Sequence, residues 1–235
     1  MNNSLNAEIM DVSALSLEER QAMYGLMDTH YERMNWDVFL RDLAAKDICI
    51  LLRDTEENIQ GFSTQVVLTL EVEGKPVRGV FSGDTIIHRA HWGSMALFQV
   101  FARHYIGLGA QYPEFYWFLI SKGIMTYGLL PLFFREFYPG RRGETPPYAK
   151  AVMDAFGRSR YPQEYCPETG VIEYHSPKDA LKEEVVAMGS HRAKNPDAVF
   201  FSQANPGWAQ GNDLVCLASL QKPNLRTGVE GLLGL

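Results

Sequence analysis

Apolar and polar positions in this chain follow two periods, and each change of period marks an element. Glu8–Leu15 predicts a first short strand. Ser16-Leu17-Glu18-Glu19 then reads as a helix entry, with a serine cap and a glutamate three residues on that satisfy each other's backbone amides. The helix is predicted to reach about Tyr31, with Met23, Leu26, Met27 and His30 near helical spacing. A second helix is predicted from Asn35 to Ala45, and Asp47–Arg53 is an apolar run of strand length. After the polar turn Asp54–Asn58, two long strands, Gly61–Glu73 and Pro76–His88, flank a hairpin connection at Gly74-Lys75. The period then becomes helical from Ser94 to about Leu108, with Leu97, Val100, Phe101, His104 and Leu108 as its buried stripe. Glu114–Ser121 reads as a fully buried central strand and Gly123–Tyr138 as a helix. Pro131 must kink that helix or start it afresh, because it lacks an amide proton.

Prolines 146, 147, 162, 167 and 177 interrupt the pattern from Arg141 to Pro196, leaving two helical pieces, Tyr148–Phe156 and Ser176–Met188. Phe156, Tyr161 and Tyr165 mark residues 140–197 as an insertion or subdomain, not a linker, within one domain of residues 1–235. Ala198–Phe201 and Leu214–Ala218 read as a closing strand pair around the turn Asn205-Pro206-Gly207, and the last ten residues as loosely held.

Composition narrows the function classes. A net charge of −6 disfavours a sequence-independent nucleic-acid binder, and the short basic cluster Arg135, Arg141, Arg142 reads as a solvated loop. The three cysteines are widely spaced with no CxxC, which fits a reducing compartment and no metal site. The N-terminal MNNSLNAEIM lacks a basic n-region, and Ser121-Lys122-Gly123 interrupts the longest apolar runs, so neither a signal peptide nor a membrane span is expected and the expected location is the cytoplasm. An aromatic content of 12% points to a large apolar cavity or an interface, a homodimer included. No Gly-x-Ser-x-Gly, His-Glu-x-x-His or strand-borne Gly-x-Gly-x-x-Gly occurs.

The most informative stretch is Val77–Tyr105, a strand, a turn of small residues and an amphipathic helix. Such a turn gathers free amides and the positive end of a helix dipole, which together can hold a pyrophosphate. Its core is His91-Trp92-Gly93-Ser94-Met95-Ala96. Together with the element order, this turn resembles the GNAT acyltransferase superfamily over about Glu8–Tyr138 and the last strand pair. The family's loop reads Gln/Arg-x-x-Gly-x-Gly/Ala; His91 stands at the first position, Ser94 at the first glycine and Ala96 at the second, so the leading residue and the first glycine depart from it.

The resemblance implies an α/β fold with a mixed, mainly antiparallel sheet flanked by helices. It also implies transfer of an acyl group by direct attack, from an acyl-CoA or acyl-carrier-protein thioester to an amine on a small molecule or a peptide side chain, with no metal. It places the donor against Ile86, Ile87, His88 and His91–Ala96. Alternation puts Ser82, Asp84, Ile86 and His88 on one strand face, with Asp84 and His88 roughly 13 Å apart. His88 is the first candidate base, Asp84 an amine ligand or alternative base, and Tyr138 or Tyr127 the candidate acid. The loosened loop, with Phe115, Tyr116, Trp117, Phe118, Phe133, Phe134, Phe137 and Tyr138, suggests a tunnel for a medium or long acyl chain. The alternatives are a non-catalytic acyl-CoA-binding module of the same fold and a protein-interaction module.

Overall fold

Each element forms where local chemistry favours it. In this computed structural model, which describes residues 5–175, 179–190 and 195–235, β1 (Asn6–Asp11) gives way to a 3₁₀ turn at Val12–Ala14. Helix α1 (Leu17–Asp28) opens on the expected capping box, with Ser16 N–H to Glu19 Oε2 at 2.7 Å and Glu19 N–H to Ser16 Oγ at 3.2 Å. After the short β2 (Tyr31–Glu32), Asn35 caps α2 (Trp36–Ala44). Strands β3 (Ile48–Arg53), β4 (Ile59–Val72) and β5 (Lys75–Ile87) follow. The β4–β5 turn places Glu73 and Gly74 at φ 51° and 75°, the left-handed pair that matches the twist of a tight hairpin. Helix α3 (Ala96–Gly109) is the crossover to β6 (Phe115–Ser121).

The chain continues through α4 (Ile124–Tyr127), α5 (Leu129–Phe133), α6 (Pro147–Arg160), β7 (Tyr165–Cys166), β8 (Val171–Ile172), β9 (Ala180–Leu181), α7 (Glu183–Ser190), α8 (Pro196–Ala204), β10 (Asp213–Ser219) and α9 (Val229–Leu233). Eight strands make one sheet in the order β1-β3-β4-β5-β6-β10-β8-β7, while β2 and β9 pair separately. Every neighbouring pair in the large sheet is antiparallel except β5 and β6. The fold is therefore α/β with a mixed, mainly antiparallel sheet flanked by helices.

Helices cover both faces. On one, Leu97, Phe101 and Tyr105 of α3 join Leu130, Phe201 and Val229 over Ile50, Val80, Trp117 and Cys216. On the other, α1 and α2 cover Cys49, Leu51, Phe62 and Ile86, and Phe156 of α6 packs 5.1 Å from Phe81 and 4.9 Å from Phe118 between ring centroids. No helix among the described residues is long and apolar enough to cross a membrane.

Several elements differ from expectation. The predicted helix Gly123–Tyr138 breaks after Tyr127 and ends at Phe133; beyond it the chain is extended, with Phe134 bridging Leu225 and Tyr138 bridging Leu217. Ala198–Phe201 is helical, not a strand, because Asn195 caps the segment and Pro196 stands at its first turn, where its missing amide costs nothing. The α3 stripe is rotated: Ala102, Tyr105 and Ile106 are buried and His104 is exposed. Within 140–197, β7 and β8 extend the main sheet, and α6 covers it. The expected helix Ser176–Met188 begins at Glu183, and its predicted cap, Ser176-Pro177, lies outside the described residues. The C-terminal segment is held by Val229 and Leu233, both buried.

Gly79 pins the β5–β6 pair: an added Cβ would lie 2.5 Å from Phe118 Cε2 and from Tyr116 O. Gly79→Ala is expected to lower stability by about 1–3 kcal/mol, read from the urea midpoint. His30, buried at the end of α1, holds its Nδ1 2.7 Å from Thr29 Oγ1, and burial keeps its imidazole below the ordinary histidine range. The unfolded chain therefore binds more protons than the folded one just below about pH 6.5, so stability rises with pH there and is lost as the solution is acidified. Urea midpoints at about pH 7.5 and about pH 5.5 should differ less in His30→Gln than in the parent.

Candidate active site

The site begins where β5 and β6 part. Their parallel pairing runs from Arg78↔Phe115 to Ser82↔Leu119 and stops. On its other edge, β5 has Ser82 opposite Gln65 and Thr85 opposite Ser63, so Gly83 and Asp84 together face one residue, Thr64. That is a β-bulge, which bends and twists the strand. Gly83 leaves room for neighbouring side chains, since a Cβ there would lie 2.6 Å from Lys46 Cε and 2.8 Å from Thr64 Oγ1 and would push the lysine aside. The gap opens into a cleft of about 560 Å³ that reaches both faces of the sheet. Leu97, Phe98, Phe101, Trp117 and Leu119 line one side, and Arg160, Tyr161, Tyr174, Asp179 and Asp213 the other.

The edge of β5 offers main-chain groups to this gap. His88 N–H bonds to Gln60 O at 2.8 Å, and hydrogen-bonded pairs alternate along an antiparallel ladder. Ile86 and His88 therefore spend their amides on β4, while Thr85 and Ile87 turn theirs towards the gap. The Ile87 carbonyl accepts the Trp92 indole N–H at 2.8 Å.

The loop into α3 is partly self-satisfied. The amides of His91, Trp92 and Ser94 bond to carbonyls of the turn, and Ala96 N–H reaches Ser94 Oγ at 3.4 Å. Among the described residues, the amides of Gly93, Met95, Leu97 and Phe98 have no acceptor. Gly93 sits at φ 100° with nothing within 4 Å of an added Cβ. Four open donors thus cluster at the positive end of α3, and Leu97 and Phe98 belong to the cleft wall.

Of the predicted acid–base residues, Asp84 lines the cleft. His88 does not: it is exposed and caps the following 3₁₀ turn, Nδ1 accepting from Ala90 N–H at 3.3 Å. The bulge also breaks the predicted alternation, since Ser82 bonds to Trp117 on the α3 face while Ile86 packs among α1 and α2. Tyr138, held at Leu217, stands away from the cleft, and Tyr127 donates its hydroxyl to Pro139 O at 2.9 Å. Of the aromatic set expected to line a tunnel, Trp117 does so; Phe115, Phe118, Phe133 and Phe134 are core. Of the basic cluster, Arg141 pairs with Asp197 and Arg135 bonds to the Leu225 carbonyl. Burial pushes the thiols of Cys49 and Cys216 up to about 12, and neither lines the cleft.

Sequence reasoning missed the cleft's charged floor. Lys122, nearly buried, lies 2.7 Å from Asp179 Oδ2 and 3.9 Å from Asp213 Oδ2. Burial alone would lower its affinity for a proton, but the carboxylates of Asp213 and Asp179 outweigh that and hold it above the ordinary lysine range. Tyr174 donates to Asp213 Oδ2 at 2.8 Å, and Asp213 Oδ1 is buried with no hydrogen-bond partner among the described residues. Burial, and then Asp213, push the phenols of Tyr161 and Tyr174 well above the ordinary range, so both stay protonated at neutral pH. The available signal was Lys122 standing between two apolar runs, where a lone cation needs a buried partner.

No family model matches the chain, and no curated protein does. Solved structures are similar to about half of it. One is a conserved protein from Enterococcus faecalis V583 described as a "Probable N-Acyltransferase", at 12% identity over 54% of this chain and 31% of that one, TM-score 0.40. Another is a GNAT family N-acetyltransferase from Escherichia coli in complex with CoA, at 12% identity over 52% and 66%, TM-score 0.36. A third is N-myristoyltransferase from Saccharomyces cerevisiae with bound myristoyl-CoA, at 15% identity over 52% and 30%, TM-score 0.40. This chain thus spans about a third of the first and third of those proteins and two thirds of the second.

Proposed function

We propose that this chain is an N-acyltransferase of the GNAT type, moving an acyl group from a CoA thioester to an amine by direct attack. The observation that carries this reading is the cleft where parallel β5 and β6 separate, with open amides at the α3 terminus on its rim. The donor pyrophosphate lies on the amides of Gly93 and Met95 in the loop His91–Ala96 and on those of Leu97 and Phe98 in the first turn of α3. The pantetheine arm runs along β5 past Ile87 and Thr85, and the thioester rests at the fork beside Ser82. A carrier-protein thioester presents the same arm and is the second donor to assay.

The amine nitrogen attacks the carbonyl carbon, the carbonyl becomes an oxyanion, and the C–S bond breaks to release CoA thiolate. Asp84, at the cleft, binds the ammonium and takes the proton the amine must lose. Tyr161, whose hydroxyl-bearing side chain lines the cleft, is the group that returns a proton to the thiolate. These two take over the roles that the sequence suggested for His88 and Tyr138.

The acyl group is of medium or long chain. Leu97, Phe98, Phe101, Trp117, Leu119 and Leu129 give it an apolar wall, worth about 0.8 kcal/mol per buried methylene. Behind Phe98, Phe101 and Trp117 lies a second void of about 20 Å³, closed by Phe133, Phe134 and Leu225.

CoA release, followed with a thiol reagent, is expected with octanoyl- or myristoyl-CoA and a panel of primary amines, faster than with acetyl-CoA. Acyl-CoA binding without release in any pairing would overturn the catalytic reading in favour of a binding module. Asp84→Asn should lower kcat/KM for the amine at least about tenfold while the donor Kd holds, as expected for loss of a general base. Phe101→Ala should move the preference towards longer donors by joining the two voids; an unmoved preference would place the acyl chain elsewhere.

A further inference from the structure

We infer that the Ser82 hydroxyl is the donor that stabilises the thioester oxyanion, and that the Trp117 indole sets its direction. This rests on the reading of the cleft as the thioester site. Trp117 Nε1 lies 2.9 Å from Ser82 Oγ, and both residues are buried in the cleft wall. An indole nitrogen only donates, so Ser82 is the acceptor in this bond and its own proton is left to give. No acceptor among the described residues takes that proton. Gln65, directly across on β4, turns its Nε2 to Ser63 Oγ at 2.7 Å, and its Oε1 has no hydrogen-bond partner among the described residues.

The position suits the chemistry. Ser82 is the last β5 residue paired with β6, so its side chain stands at the fork itself. Below it the strands are sealed together; above it the edge of β5 is open. When the amine nitrogen bonds to the thioester carbon, the carbonyl π pair moves onto oxygen. The Ser82 O–H then bonds that oxyanion, and the bond lasts until the pair returns and the C–S bond breaks. Ser82 keeps its proton throughout. A pre-aimed donor in a site of low dielectric stabilises developing charge without reorganising first.

Infrared spectra of octanoyl-CoA carrying a ¹³C-labelled carbonyl test the assignment without any knowledge of the acceptor. Bound to the full chain, the thioester stretch should fall below its value in water, and Ser82→Ala should return it towards that value with the octanoyl-CoA Kd nearly unchanged. Turnover with any amine accepted by the parent should fall on the order of 10²-fold in Ser82→Ala. Trp117→Phe keeps the ring but loses the N–H, freeing the hydroxyl to rotate; it should give an intermediate stretch and an intermediate rate. If the Ser82 proton instead serves Gln65, Ser82→Ala loses stability alone, and an unchanged stretch overturns the inference while leaving the acyltransferase reading standing. If octanoyl-CoA does not bind the parent chain, that reading falls and the inference with it. Should Ser82→Ala fail to fold, Trp117→Phe decides: a stretch and rate equal to the parent's overturn the assignment.

Discussion

One extra residue in β5 shapes the site. The bulge at Gly83–Asp84 lets β5 stay paired with β4 while it leaves β6, and a sheet that parts internally must fill the gap with side chains or leave a cleft. Here it leaves a cleft. The same insertion sets which side chains face where: Ser82 and Thr85 share a face, Ile86 turns to the other, and Asp84 sits at the bend. The close contact of Gly79 with the Tyr116 carbonyl and the Phe118 ring shows how tightly the strand path below the bulge is fixed.

Electrostatics supply the second constraint. Lys122, Asp179, Asp213 and Tyr174 bring formal charge into a nearly buried floor, and their mutual pairing offsets the cost of removing them from water. Asp179 precedes β9, which pairs with β2, and Asp213 begins β10. The floor therefore ties the segment after β8 to the main sheet, so residues that looked like an insertion complete the cleft. A lysine held protonated here is a poor nucleophile; its part is to fix the carboxylates around it.

Much of the fold was legible in the chain. Ser16 and Glu19, Asn35, the Gly74 turn and the two long strands that flank it each declared themselves through local chemistry. The failures share a cause. Ala198–Phe201 is a short apolar run with no period of its own, and Asn195-Pro196 decides it as a helix. The stretch after Phe133 is drawn out by partners far along the chain, Leu217 and Leu225, which no local window contains. The site was less legible because a bulge has no reliable sequence mark beyond a glycine. Counting by twos through Gly83 carried His88 and Asp84 to one face, and the added residue undid it. The turn His91–Ala96 could be singled out because small residues before an amphipathic helix have a direct physical meaning, and the structure places it at the entry of α3.

The cleft reaches both faces of the sheet, with α3 at one mouth and α6 at the other. On the proposed reading this arrangement gives the two substrates separate approaches, the thioester donor beside the positive end of α3 and the amine past Tyr161 and Tyr174, so that a change on one side can alter which amine is accepted without disturbing the grip on the donor.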